Sequence, residues 1–314
     1  GSDREQLTSL ARTCSGIGAA IPTVLTMTVV PILGAGSSMA DYRIGFKWWA
    51  LIIAVVFVIS ELVCVACVPE RPVACDEKPG KISDMFKALF KNDQAMTVVV
   101  SIILVYTSLN ICGNLVLYFF RFDVGNEGAY SVFAAVAFAA QVLVMMVIPL
   151  LRKRFSKSRL FISGFIIQIA GFAVILIMAF AKLYTPQSWY ILCLPGILIY
   201  LGYGMLNVIM TIFLSDSVDY GEVMNGTREE SVIFSMQTFT VKLASGVAVF
   251  LAGLVVDWIH LDTAAAVQTQ DTLDALRMWM TIPSVILLIV GIFVFKRFYK
   301  LDDARMEEIK SKLN

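Results

Sequence analysis

Charge is scarce in this chain. Only 16% of its 314 residues are Asp, Glu, Lys or Arg, while 58% are hydrophobic. A water-soluble domain carries about 25% charged and roughly 45–50% apolar residues. Histidine is scarcer still, with His260 alone. That excludes a histidine-ligated metal centre and any Ser-His-Asp or Cys-His catalytic set, so no enzyme activity is expected. A Gly-rich phosphate loop with its lysine is also missing, which leaves ATP-driven transport without support within the chain. The six cysteines (14, 64, 67, 75, 112 and 193) lack framework spacing. Cys64 and Cys67 form a CxxC with no second pair, so these thiols read as small hydrophobes and no metal site or bound cofactor is expected. A net charge of +1 gives no basic surface, and no nucleic-acid partner is expected. There is no basic segment followed by a short apolar core, hence no cleavable leader is visible. The chain opens on Gly1-Ser2 rather than Met, and the expectation is a fragment.

What is present is apolar sequence in long blocks. A membrane span needs about 20 mostly apolar residues. Eight segments qualify: 12–33, 46–68, 95–120, 130–151, 160–181, 189–214, 231–259 and 278–298. The fold class is therefore all-α, a polytopic membrane protein with about eight transmembrane helices. Basic residues fall on alternate connections: 69–94, the run RKRFSKSR at 152–159, and the tail after 298. The positive-inside rule then puts both termini and these links in the cytoplasm. The longest link divides the chain. Its first part, PERPVACDEKPGK, is punctuated by Pro and Gly and reads as coil. In its second part, ISDMFKALFKN, the spacing of Ile82, Met85, Phe86, Leu89 and Phe90 predicts an amphipathic helix. That helix either lies on the inner membrane surface or packs on the bundle. The resulting divisions are 1–68, the last two helices of one half; 69–94, a cytoplasmic middle loop; 95–300, a six-helix half; and 301–314, a cytoplasmic tail. Pro22, Pro195 and Pro283 are candidates to kink or break their helices.

Polar residues inside the apolar blocks carry the functional signal, because charge at membrane depth is costly. The stretch 215–246 is the densest. Asp216, Asp219, Glu222, Arg228, Glu229 and Glu230 cluster at its start, and Lys242 stands alone within the next span. Ser231, Ser235, Thr238, Lys242 and Ser245 step along one helical face. Lys242 either reaches the interface or sits in a water-filled cavity against a substrate or an acid. Two more stripes follow the same rule: Tyr106, Asn110, Asn114 and Tyr118, then Tyr200, Tyr203, Asn207 and Thr211. Hydrogen-bonding groups beside flat aromatic faces suit a sugar, although packing between spans uses the same residues.

Three runs make a specific resemblance: DSVDYGE at 216–222, Arg228-Glu229-Glu230-Ser231, and FSMQTFTVK at 234–242. DREQL at 3–7 with Arg12, FKNDQ at 90–94 and RFYKL at 297–301 extend it. Together they resemble the melibiose carrier family, the glycoside-pentoside-hexuronide:cation symporters of the major facilitator superfamily. The resemblance implies a twelve-helix fold in two halves, of which this chain looks like helices five to twelve, a partial major facilitator fold. It further implies that the coupling-cation carboxylates lie on the missing helices. Arg12 matches a family arginine near the sugar, and Thr238 and Lys242 match positions near the sugar and cation sites. Asp216, Asp219 and Arg228 match a cytoplasmic charge network that closes the inner gate. Asn207 departs from the family pattern, where a tryptophan faces the sugar.

The resulting expectation is a secondary active transporter, or a fragment of one. It would move a sugar or glycoside by alternating access, driven by Na⁺ or H⁺, in a bacterial inner membrane. Substrate would touch Arg12, Tyr106, Asn110, Asn114, Tyr203, Asn207, Thr238 and Lys242. The cytoplasmic gate would use Asp216, Asp219, Glu222 and Arg228. Membrane lipid is the other expected partner. A transport-inactive truncated membrane protein and a lipid or lysolipid carrier of the same superfamily are the alternatives.

Overall fold

The structure, a computed structural model, describes residues 2–36, 39–67, 87, 90–226, 230–263, 265 and 267–313. The helices are α1 (Ser2–Gly34), α2 (Met39–Cys67), α3 (Asp93–Tyr118), α4 (Ala129–Arg152), α5 (Lys157–Phe180), α6 (Cys193–Asn225), α7 (Glu230–Trp258), α8 (Gln270–Phe298) and α9 (Asp303–Leu313). No strand occurs among the described residues. Seven helices, α2 to α8, are long and apolar enough to cross a membrane. The chain is an all-α, polytopic membrane protein. The first expected span, 12–33, falls inside α1, which runs through Pro22 and Pro31. Most of the surface-helix expectation at 82–92, and Arg228, lie outside the described residues.

Most helix ends fall within a few residues of the expected limits, but α1 begins at Ser2 instead of 12 and α2 at Met39 instead of 46, and two further ends differ. α8 begins at Gln270, eight positions before the expected 278. α6 continues beyond 214 through Asp216, Asp219 and Glu222 to Asn225. Its 33 residues are about 50 Å long, against a hydrocarbon core of about 30 Å. The acidic run is therefore the overhanging end of a helix rather than a connecting loop. Pro195 is the third residue of α6, where a missing N–H costs little. Pro283 lies inside a continuous α8.

The chain forms two compact units, residues 17–81 and residues 1–16 with 82–314. In the smaller unit, a Cβ at Gly45 would lie 2.1 Å from the Val30 carbonyl oxygen, so only glycine lets α1 and α2 approach this closely. Thr26 donates its hydroxyl to the Pro22 carbonyl at 2.6 Å and accepts the Trp49 indole N–H at 2.8 Å. Most apolar side chains of α2 are exposed, as suits lipid solvation.

In the larger unit α6 is central. It packs against α3, α4 and α5, and residues 202–219 along it are buried. α3 packs on α7 and α8. A Cβ at Gly202 would lie 2.6 Å from the Gly164 carbonyl oxygen and 2.7 Å from the Gln168 nitrogen. The α5 and α6 backbones thus touch, the close approach that small residues permit. Between α3 and α8, Ser108 donates to the Ser284 carbonyl at 3.1 Å and Ser284 returns a bond to the Ser108 carbonyl at 2.8 Å. These exchanged bonds satisfy hydroxyls that lipid could not.

Two runs some two hundred residues apart meet at one end. Asn92 caps α3 by accepting the Ala95 N–H at 2.9 Å, and donates to the Ser217 carbonyl on α6 at 2.8 Å. Gln94 accepts the Lys300 N–H at 2.7 Å and donates to the Phe298 carbonyl at 3.3 Å. FKNDQ and RFYKL therefore tie the start of α3 to the end of α8.

Candidate functional site

Three polar groupings lie in the larger unit, at the middle and the two ends of its helices. The middle one is built from α1, α3, α6 and α7. Asn207 and Tyr106 are near the midpoints of α6 and α3. The Asn207 amide donates to the Tyr106 hydroxyl at 2.5 Å and to the Tyr203 hydroxyl at 3.4 Å. The two tyrosine rings meet edge to face, with centroids 5.5 Å apart. One turn along α6, the Thr211 hydroxyl receives Arg12 Nε at 3.1 Å and Gln237 Nε2 at 3.3 Å. Tyr203, Asn207, Thr211 and Gln237 are all buried. Burying such groups is tolerable only when they are bonded. Together they form a network that can exchange hydrogen bonds with a polyhydroxylated ligand.

The structure thus brings together Arg12, Tyr106, Tyr203 and Asn207. Asn110 and Asn114 lie on the same α3 face, but each amide donates to the carbonyl four residues back, both at 2.7 Å. Among the described residues their amide oxygens have no hydrogen-bond partner. Thr238 bonds to the Phe234 carbonyl at 3.3 Å and is exposed, as is Lys242. Among the described residues Lys242 has no ion-pair partner. The buried face of α7 carries Ile233, Gln237, Thr240, Ala244 and Ala248, so its Ser231-Ser235-Thr238-Lys242 stripe points out of this unit. Gln237 was not singled out from the sequence. It lies one residue from Thr238 within FSMQTFTVK, and the stripe rule picked the neighbouring face.

At the end of α6 beyond Phe213, Asp216 forms a buried salt bridge with Lys157 at the start of α5. Lys157 also reaches Asp303 of α9 at 3.5 Å, and Arg152 reaches the same carboxylate at 3.3 Å. Asp219 is buried one turn on, and Glu222 is half-buried. Beneath this cluster Phe161, Phe213, Phe295 and Tyr299 pack ring on ring, with Phe213 and Tyr299 centroids 4.4 Å apart. Burial, and then the Asp216 and Asp303 carboxylates, push the Tyr299 phenol well above its ordinary pKa. The phenol is thereby held in its neutral form. The basic run 152–159 was read as an orientation signal, and nothing in its spacing marks Lys157 as a buried ion-pair partner.

The opposite end has its own clasp. After α3 the backbone widens into a π-helical turn, Phe119–Asp123. Arg277 of α8 grips Asp123 with two of its nitrogens, Nε at 2.8 Å and Nη2 at 2.5 Å. Arg277 also donates to Asp274 at 2.7 Å, while Tyr184 donates to Asp123 at 2.5 Å. Burial and then the Asp123 hydrogen bond push the Tyr184 phenol up. Near the end of α7 the His260 N–H donates to the Asp257 carbonyl at 3.1 Å. Among the described residues no His, Cys, Asp and Glu grouping could hold a metal ion.

The sequence is similar to carriers across nearly its whole length. The raffinose carrier protein of Pediococcus pentosaceus is 24% identical over 99% of this chain and 48% of its own length. The isoprimeverose transporter of Lactiplantibacillus pentosus is 24% identical over 96% of this chain and 61% of its own. A putative glycoside/cation symporter of Escherichia coli K12 is 22% identical over 92% of this chain and 60% of its own. The chain spans about half to three-fifths of the length of these relatives. The signature of one family, described as MFS/sugar transport protein, matches residues 1–303. The chain belongs to the MFS/sugar transport protein family.

Proposed function

We propose that the complete protein is a secondary active carrier of a sugar or glycoside, coupled to Na⁺ or H⁺, in a bacterial inner membrane with both termini cytoplasmic. The observation that carries this reading is the network of the buried Tyr203, Asn207, Thr211 and Gln237 with the half-buried Arg12 and Tyr106 near the middle of α3 and α6. Intramembrane polar residues of this kind mark substrate routes. Donors and acceptors beside two aromatic rings fit sugar hydroxyls and C–H faces. Relatives named for raffinose and isoprimeverose add support. Asn110, Asn114, Thr238 and Lys242 complete the substrate surface as the two halves rock around it. Asp216, Asp219, Glu222 and Arg228 form the inner gate, with Lys157 anchoring Asp216 to α5. Modest ion pairs in a network suit a contact that must open.

The test is uptake of radiolabelled raffinose, lactose and isoprimeverose by cells expressing the complete protein, with and without external Na⁺ and at two external pH values. Uptake of at least one sugar above vector control, stimulated by one cation, is the expected result. Cation-independent leakage at control rates for every sugar would contradict it.

One observation favours a second reading, a lipid or lysolipid carrier. A groove of about 740 Å³ lies between α3, α7 and α8, lined almost wholly by apolar residues such as Ile103, Leu104, Leu251, Trp279 and Ile286. Uptake of a fluorescent lysolipid in place of any sugar would select it.

A further inference from the structure

Two rows of side chains continue past the mid-helix network toward the Asp123 clasp. On α3, Asn114 and Tyr118 follow Tyr106 and Asn110 at intervals of four. On α7, Gly246, Gly253 and Asp257 follow Lys242 on the same helical face. Between the two rows is a cavity of about 580 Å³, lined among others by Asn114, Tyr118, Phe250, Gly253 and Asp257. Ligand cavities span about 300–1,000 Å³.

Its polar groups are uncommitted. Asn114 spends its amide nitrogen on the Asn110 carbonyl at 2.7 Å. Among the described residues, the Asn114 amide oxygen, the Tyr118 hydroxyl and the Asp257 carboxylate have no hydrogen-bond or ion-pair partner. The Tyr118 ring stacks parallel to Phe122, at 6° and 6.5 Å, and so offers a flat apolar face beside them. A Cβ built on Gly253 would meet no heavy atom within 4 Å, so open space rather than backbone packing borders this glycine.

We propose that this cavity is an outer glycoside subsite, which seats the sugar before it moves inward to Asn207 and Arg12. The inference rests on the sugar-carrier reading and its membrane orientation. A carboxylate accepts hydrogen bonds from two neighbouring hydroxyls, an amide oxygen accepts a third, and a phenol bonds either way. The tyrosine ring covers a C–H face. No basic side chain lines the cavity among the described residues, which favours a neutral polyhydroxylated ligand over a phosphate-bearing lipid headgroup. The same groups explain why α3 keeps its polar stripe beyond the mid-helix network.

The test is the concentration dependence of uptake in cells expressing the complete protein. It uses the sugar among raffinose, lactose and isoprimeverose that the wild type takes up fastest, at matched surface expression. Asp257→Asn and Gly253→Leu are each expected to raise KM about five- to tenfold, with maximal rate held within about twofold. Asp257→Glu keeps the carboxylate and is expected within about twofold of wild-type KM. Wild-type KM in both Asp257→Asn and Gly253→Leu would overturn the subsite while leaving the carrier reading intact. So would an unchanged KM with a fallen maximal rate, the result of a cavity that seats a protein segment. A wild type that takes up none of the three sugars would overturn both.

Discussion

At the residue scale, hydrogen-bond geometry separates side chains that share a helical stripe. Asn207 and Asn110 both lie on polar stripes, yet Asn207 bridges two helices through Tyr106 while Asn110 bonds its own helix. Arg12 and Gln237 belong to no polar stripe yet reach the network, Arg12 through Nε to Thr211. Lysine has no equivalent donor on its stem. Arg12→Lys is therefore expected to weaken sugar uptake about tenfold or more, because a hydrogen bond from a charged group contributes about 1.5–3 kcal/mol. Equal KM in the two proteins would place Arg12 outside the substrate surface. Lys242 gives a different expectation. It sits mid-helix and exposed on α7, so in the proposed carrier it balances charge across the opposite half. Lys242→Val should change the Na⁺ and H⁺ dependence of uptake, not only its rate. An unaltered cation dependence with normal uptake would refute that role.

At the scale of elements, the sequence reveals most where chemistry is periodic and least where partners are distant. Apolar runs gave α3, α4, α5 and α7 to within a few residues, because the bilayer allows one backbone solution for a long apolar segment. The overhang of α6 was not legible, since Ser215 to Glu222 has the composition of a loop. Helix continues there because Lys157 and Asn92 supply tertiary partners for Asp216 and the Ser217 carbonyl. None of these is adjacent in sequence. The Arg277 to Asp123 clasp escaped for the same reason, with a separation of 154 residues. Two substitutions probe these contacts. Lys157→Met leaves a carboxylate buried without its amine, and is expected to destabilise the protein by about 3–5 kcal/mol. Adding Asp216→Leu should recover most of that loss. Gly202→Leu drives a side chain into α5 backbone and should lower the unfolding temperature in detergent, whereas Gly253→Leu should not. Similar losses for both glycines would show that α5 and α6 do not touch as described.

At the scale of the molecule, the helices of residues 82–314 form one bundle with polar groupings at two ends and a network between them. That arrangement gives each end and the middle its own chemistry: an acidic and basic cluster at the Asp216 end, uncharged hydrogen-bonding groups with the single Arg12 guanidinium at mid-depth, and an arginine-aspartate clasp at the Asp123 end. Buried polar networks in membranes are expensive unless they do something that packing cannot. A carrier needs all three, because one end must close while the other admits solute. Membership of the MFS/sugar transport protein family accords with this division. In the proposed carrier the gradient of a cation drives a sugar through the mid-depth network. The most direct test is sugar accumulation by proteoliposomes holding the complete protein under an imposed Na⁺ or pH gradient. Accumulation above equilibrium is expected, collapsing when an ionophore dissipates the gradient and abolished by Asn207→Ala. Sugar levels that never exceed equilibrium, or accumulation unaffected by Asn207→Ala, would contradict it.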